Sequence, residues 1–183
     1  MTHRRPLLPL LALLALLLLA VGVAACGYES DSKSVAEGES VELGELKYNV
    51  TFSRYLNPND NEDEAYLVGQ PEPPEGETYF GVFFEVQNES DEPQVLPSTL
   101  TITDSDENEF EVLPSESIYA LELNGEVESE EQVPKLDTTA QLGAIEGALA
   151  LFLLPESASE NRPLTLHIPD EEGEEGAEVT LDL

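Results

Sequence analysis

The 183-residue sequence has no tryptophan, one cysteine, one methionine and two histidines. One cysteine cannot close an internal disulfide, so the fold must be stabilised by packing alone. His167 is the only histidine beyond the N-terminal segment, and it alternates with Leu166 and Ile168 in a way that predicts a solvent-facing side chain. One histidine, with no methionine beyond Met1, cannot build a blue-copper centre, and zinc catalysis lacks its usual nitrogen and sulfur ligands.

Basic residues are also scarce. Seven lysines and arginines stand against 39 acidic residues, which gives a formal net charge of −32. Nucleic acid is excluded as a partner, because binding it requires Lys or Arg to displace counterions. An anionic membrane surface should repel the chain as well. Two interpretations of the acidity stay open: solubility, as in a salty habitat, or recognition of cations or of a basic partner.

Motifs for hydrolysis and for phosphate binding are missing. The sequence has no G-x-S-x-G elbow of the α/β-hydrolases and no glycine-rich phosphate loop. Carboxylates are plentiful, so a pair of acids for glycoside hydrolysis remains an alternative, although the lack of tryptophan argues against a sugar-stacking platform. We therefore expect a non-enzymatic protein without a cofactor, and keep a carboxylate-dependent hydrolase as the weaker alternative.

The N-terminus is typical of an export signal. Arg4 and Arg5 precede an apolar run over residues 7–25 that ends in small residues. A run of about 20 apolar residues is also long enough for an uncleaved membrane anchor, but Pro6 and Pro9 interrupt its start. The positive charges before the run predict that the rest of the chain lies outside the cytoplasm.

The run ends in Val23-Ala24-Ala25-Cys26. This tetrapeptide resembles the bacterial lipoprotein box, in which the cysteine sulfur carries a diacylglycerol and the leader is cut just before it. The resemblance implies a signal peptide over 1–25, lipidation of Cys26 and a lipid anchor on the extracytoplasmic face of the cell membrane. The alternative is an unmodified cysteine that happens to end a signal region. Residues 27–40 are rich in Ser, Glu and Gly and predict, together with Cys26, a flexible tether over 26–40.

From residue 41 onward, apolar residues recur mostly with a period of two, which is typical of half-buried strands. Leu46, Tyr48, Val50 and Phe52 share one predicted face, and Phe83 predicts a central strand covered on both sides. The predicted strands are 46–53, 79–87, 98–104, 109–113, 117–123, 147–154, 164–168 and 177–183. Seven or eight short strands without an amphipathic helix predict an all-β protein, a β-sandwich over residues 41–183.

The stretch YFGVFFEVQNESDEPQVLPSTLTITDSDENEFEV, residues 79–112, resembles the immunoglobulin-like, telokin-like domains of bacterial extracellular lipoproteins of unknown function. The shared features are an apolar strand ending in Val86-Gln87-Asn88, a short acidic turn, a strand ending in Thr103-Asp104, and a hairpin into Phe110. That family usually has Gly before the aromatic strand, whereas here Asn108 is available for a left-handed turn. The resemblance implies an immunoglobulin-like sandwich outside the cell and implies no catalytic residues.

Asp104, Asp106 and Asn108 have the spacing that starts an EF-hand loop, which makes them candidate calcium ligands. The spacing then fails, because Glu109 stands where the loop needs Gly and Ser115 where it needs Glu. A hairpin turn is the alternative. The acidic groups within 60–64 and 171–175 are further candidates for a weak divalent ion, or plain solvated charge. A calcium-binding surface module is thus the alternative function.

Two long segments, 56–78 and 124–146, separate predicted strands, and the second has a predicted helical turn over 140–146. Loops of this length are often functional. The predicted contact residues are therefore Asn57, Asp60, Tyr66 and Pro71, in the first loop. The leading hypothesis is a lipid-anchored, extracytoplasmic binding module whose partner is an envelope protein or another basic molecule.

Overall fold

The computed structural model describes residues 32–170 and 175–182, so the predicted leader, Cys26 and residues 27–31 of the tether lie outside it. In this part of the chain nearly all regular structure is β, and no helix is long and apolar enough to cross a membrane. The strands are β1 (Lys33–Ala36), β2 (Ser40–Leu43), β3 (Leu46–Leu56), β4 (Glu77–Asn88), β5 (Gln94–Val95), β6 (Thr101–Thr103), β7 (Glu109–Glu111), β8 (Glu126–Val127), β9 (Gln132–Val133), β10 (Ala148–Pro155), β11 (Leu164–Pro169) and β12 (Glu175–Leu181). A short helix, α1, spans Thr139–Leu142, and a 3-10 helix spans Glu156–Ser159.

Ten of these strands form two five-stranded sheets. The first sheet has the order β1-β12-β11-β6-β7, and the second has the order β10-β4-β3-β2 with β9 paired to the end of β4. β5 and β8 form a separate two-stranded ribbon. At one edge of the sandwich, β1 of the first sheet leads directly into β2 of the second sheet. At the other edge, the segment after β7 of the first sheet forms a bridge from Leu113 to Leu151 on β10 of the second sheet. Such closure protects sheet edges from pairing with other chains. The predicted β-sandwich is confirmed.

Seven of the eight predicted strands are present, as β3, β4, β6, β7, β10, β11 and β12. The prediction for 117–123 is wrong, because this segment makes only an isolated bridge from Ala120 to Leu149. Five strands of two to four residues were not predicted, namely β1, β2, β5, β8 and β9. β5, β8 and β9 have only two residues each, which is too few to show an alternating pattern.

The predicted tether is wrong from residue 33 onward. β1 pairs in parallel with β12, and Val35 packs against the main core. The Glu37 carboxylate then accepts hydrogen bonds from the Ser53 hydroxyl (2.5 Å) and the Asp182 backbone N–H (3.1 Å). The ordered domain therefore begins with β1 instead of at residue 41.

The main core lies between the two sheets and is built by alternation along the strands. Phe80, Val82 and Phe84 of β4 are fully buried there, as are Leu164, Leu166 and Ile168 of β11. β3 breaks its pattern at an irregularity between Val50 and Phe52. A β-bulge adds a residue and reverses the alternation, so Phe52 is 43% exposed and Ser53 is buried. The prediction that Phe52 shares the core face with Val50 is wrong for this reason.

A second, smaller core covers the outer face of the second sheet, where Phe83 is fully buried as predicted. The loop 57–76 supplies Tyr66 and Leu67 to this core, and Tyr66 makes edge contacts with the Phe83 ring at 5.2 Å and a tilted contact with Tyr119 at 4.8 Å. Two hydrogen bonds, from Ser117 to the Ala65 carbonyl and from Gln70 to the Pro114 carbonyl, each 2.8 Å, join the loop to segment 113–119. The loop is therefore a structural layer on the sheet.

Candidate functional site

The predicted contact residues of loop 57–76 mostly serve the loop itself. Asn57 and Asp60 are exposed, but their side-chain oxygens accept backbone hydrogen bonds from Asn59 (2.9 Å) and Glu62 (3.0 Å). Pro71 is exposed and its carbonyl accepts the Tyr79 hydroxyl at 2.8 Å. Tyr66 is buried in the second core, so its side chain is not available to a partner, and the expectation that it forms contacts is wrong.

Asp63, one of the acidic residues considered for a divalent ion, is an internal anchor. Its side chain is 2% exposed and forms an ion pair and hydrogen bonds with Arg54, whose side chain is 31% exposed. The Asn57 backbone N–H donates a further hydrogen bond to Asp63 Oδ2 at 2.7 Å. The carboxylate thus ties the start of the loop to β3.

Asp104 organises the hairpin between β6 and β7. Its buried carboxylate accepts hydrogen bonds from the backbone N–H groups of Asp106 and Asn108, both 3.0 Å, and from the side-chain amides of Asn108 (2.9 Å) and Asn161 (3.3 Å). The left-handed residue of the turn is Glu107, at φ 63°, and Asn108, which the sequence offered for that conformation, does not adopt it. N–H donors therefore occupy the oxygens that a calcium ion would need. The described residues contain no group of three or more His, Cys, Asp or Glu side chains placed to hold a metal.

Burial alone would raise the pKa of Asp104, but the hydrogen bonds from Asn108, Asn161 and the Asp106 N–H together hold that pKa below its usual range. The unfolded chain has the ordinary value of about 3.9. The charged carboxylate therefore stabilises the fold fully above that value, and the stabilisation is lost as pH falls through the lower folded-state pKa.

We expect Asp104→Asn to lower the free energy of unfolding at pH 7 by about 1.5–3 kcal/mol, because an amide cannot accept all of these hydrogen bonds. The loss should shrink as pH falls below about 4, where the unfolded chain protonates first, and should be smallest below the lower folded-state pKa, where the wild-type group is neutral in both states. Urea denaturation followed by circular dichroism at several pH values measures both effects. The matched control is Asp106→Asn in the same turn, whose side chain is exposed. Equal losses in the two variants would contradict the assigned role.

His167 lies on the outer face of the first sheet, half-buried, and opposite the core residues of β11. Its Nε2 shares a hydrogen bond of 2.7 Å with Thr103 Oγ1 on the neighbouring strand β6. The alternation predicted for this strand is confirmed, with an added cross-strand contact that holds the imidazole against the sheet.

The strongest candidate for a binding site is a groove that the sequence did not predict, with a cavity of about 210 Å³. Its walls are segments 118–122, 125–126 and 133–140, and its apolar lining includes Leu96, Tyr119 and Ala148. Backbone hydrogen bonds fix these walls. The bonds run from Leu149 to Tyr119 (2.6 Å), from Leu121 to Leu149 (2.8 Å), from Leu96 to Gly125 (2.8 Å) and from Gly147 to Ala140 (3.1 Å).

One large apolar side chain of the lining is exposed, Ile118, at 76%. Leu136 and Leu142 are 65% and 68% exposed and do not line the cavity themselves. They lie in segment 135–142, which carries the lining residues Lys135, Thr138 and Ala140 and ends with α1. In the sequence Ile118 belongs to the predicted strand 117–123, and Leu142 belongs to the predicted helical turn over 140–146, which the structure places at α1.

The charges around the groove are almost all negative. Glu122 and Glu126 line the cavity, and the adjoining stretch to residue 131 carries three more exposed glutamates. Lys135 is the one basic residue in the lining, and it pairs with Glu131 at 3.1 Å. The hydrogen bond to Glu131 and the nearby carboxylates raise the pKa of Lys135. The groove therefore combines an apolar rim with a surplus of carboxylates.

No protein-family model matches the sequence, and no curated protein is similar to it. Two solved structures are similar in fold, each with a TM-score of 0.51 and 13% sequence identity. One is an uncharacterised β-sandwich protein from Clostridium difficile 630, with 84% of this chain and 97% of that chain covered. The other is the yjhA protein from Bacillus subtilis, with 80% and 99% covered. At this identity the likeness shows the β-sandwich fold alone.

Proposed function

We propose that the chain is a non-enzymatic, lipid-anchored module that binds a partner on the extracytoplasmic face of the membrane. The observation that carries the binding role is the groove, where Ile118 is 76% exposed in the lining and the adjoining segment 135–142 exposes Leu136 and Leu142. Exposed apolar residues that are grouped, and rimmed by charged groups, mark interaction sites more often than scattered single ones do.

The lipid anchor is supported by the sequence Val23-Ala24-Ala25-Cys26 and the basic, apolar leader before it. Seven peptide units connect Cys26 to Lys33, the first residue of β1. A fully extended chain of that length spans at most about 25 Å. Acylation of Cys26 would therefore keep the sandwich close to the bilayer. A second acyl chain makes such anchoring stable, because one chain alone binds weakly.

Cells that express the full chain and are fed radiolabelled palmitate should label the wild-type protein and should not label Cys26→Ala. The wild type should sediment with membranes and have the mass of a chain that starts at Cys26 and carries the lipid. An unlabelled wild type, or a wild type whose mass includes the intact leader, would contradict the lipid anchor and favour an unprocessed leader.

The proposal of a non-enzymatic role is supported by what the acidic groups do. Among the residues that the structure describes, the two buried carboxylates, Asp63 and Asp104, are engaged by protein donors. Glu122 and Glu126 in the groove are both exposed, whereas catalytic acid pairs depend on different environments that set their pKa values apart. The hydrogen bonds that the Asp104 carboxylate accepts from Asn108 also weigh against the calcium-binding alternative, because they occupy the oxygens that the ion would need.

A further inference from the structure

Building on the proposed binding role, we infer that the groove takes a polypeptide segment of a partner protein that carries apolar side chains flanked by Lys or Arg. The apolar half of this chemistry follows from the rim. Interfaces concentrate their binding energy in a few apolar or aromatic anchors that become fully desolvated. Ile118 is exposed in the lining of a preformed cavity, where it can contact such an anchor together with the apolar lining residues Leu96 and Ala148.

The cationic half follows from the charge around that cavity. Segment 122–131 contains five exposed glutamates. The basic residue that lines the groove beside them is Lys135, and it forms an ion pair with one of the five, Glu131. The other basic residues of the described chain are engaged elsewhere in the domain: Lys33 with the Glu42 carbonyl, Lys47 with Glu89, Arg54 with Asp63, and Arg162 with the Ser159 carbonyl. No other basic side chain of the described residues is therefore placed to neutralise these glutamates. The complementary positive charge must come from the partner.

The same charge argument decides against two other occupants. A second copy of this chain would bring its own net charge of −32 to the interface, and like charges juxtaposed across an interface cost several kcal/mol. An anionic lipid surface is repelled for the same reason. A partner segment with both apolar and basic side chains satisfies the rim and the cavity together.

Binding of a synthetic peptide to the purified full chain tests this inference by fluorescence anisotropy. The probe is a labelled peptide of roughly twelve residues made of Leu and Lys, a length matched to one groove-sized segment. Two analogues replace every Lys with Glu or every Leu with Ser. The Leu/Lys peptide should bind, both analogues should lose binding, and raising the salt from about 50 to about 500 mM should weaken the affinity roughly tenfold.

Two double variants separate the groove from the general acidity of the surface. Glu122→Lys with Glu126→Lys should weaken binding of the Leu/Lys peptide roughly tenfold. Glu62→Lys with Glu64→Lys changes the net charge equally, at exposed positions of loop 57–76, and should have little effect. Ile118→Asp should abolish binding without unfolding, since this side chain lines the cavity and is exposed. Equal weakening by the two lysine pairs, or no binding by the wild type, would overturn the inference.

Photocross-linking in intact cells distinguishes a wrong partner chemistry from a wrong function. A benzophenone amino acid at position 118 should cross-link to a discrete partner, whereas one at Val68, an exposed apolar residue on loop 57–76, should not. Cross-linking at 118 without peptide binding would overturn the cationic segment and leave the binding role standing. The absence of both would overturn the binding role as well.

Discussion

Replacing Arg54 with Met is expected to lower the free energy of unfolding by about 3 kcal/mol, because the change leaves Asp63 as a buried carboxylate without a counter-charge. Asp63 is 2% exposed and would keep only the Asn57 N–H as a donor among its three hydrogen bonds. Removing one partner of a buried ion pair costs about 3–5 kcal/mol. We expect the lower value because the Arg54 side chain is itself 31% exposed. Urea denaturation followed by circular dichroism measures the loss.

The matched control is Lys47→Met, which removes a cation from an exposed ion pair on the same strand, β3. Exposed pairs contribute about 0–1 kcal/mol, so this variant should lie close to the wild type. Adding Asp63→Asn to Arg54→Met should recover part of the loss, because it removes the buried charge and keeps an acceptor for Asn57. A loss with Arg54→Met no larger than with Lys47→Met would show that the pair does not hold the loop.

The sequence predicted those parts of the fold that follow from local alternation. β4 and β11 show this best, since their alternate residues enter the main core as expected. Phe83 interrupts the alternation of β4 with an apolar residue on the opposite face, and that single departure correctly predicted a second covered face. Successive side chains of a strand point to opposite faces, so a buried face shows apolar residues at every second position. The sequence pattern therefore indicates which face is buried.

The features that the sequence did not predict depend on contacts between distant residues. The strand at residues 33–36 exists because β12, near the other end of the chain, pairs with it. The bulge beside Phe52 has no marker in its own sequence, since neither glycine nor proline occurs there. Asp63 stood among four acidic residues from 60 to 64, and only the proximity of Arg54 singles it out.

The groove was missed for a related reason. Its walls come from segments around residues 96, 119, 126 and 140, which the ribbon of β5 and β8 and the helix α1 bring together. Loop 57–76 was chosen instead on account of its length, yet its residues Tyr66 and Leu67 are buried in the core that covers Phe83. A long loop on a β-sandwich can thus be a second core layer, and its length alone does not indicate a contact surface.

The role of that layer predicts a second large effect: Phe83→Ala should lower the free energy of unfolding by about 3–5 kcal/mol. Phe83 is fully buried beneath the loop and packs edge-on against Tyr66. Truncation leaves a cavity between sheet and loop, and the loop should also lose local stability. Urea denaturation gives the global loss, and native-state hydrogen exchange at Tyr66 and Leu67, whose N–H groups bond to the Asp63 carbonyl, gives the local one.

Phe52→Ala is the closest control that the chain offers. Phe52 is the cross-strand partner of Phe83 and the same residue type, but it is 43% exposed and belongs to neither core. Its truncation removes about half as much buried surface, leaves no enclosed cavity and should cost about 1–1.5 kcal/mol. If the two truncations cost the same, the loop does not act as a core layer. A loss that is several times larger for Phe83 would mean that the loop stabilises the second sheet as a core layer.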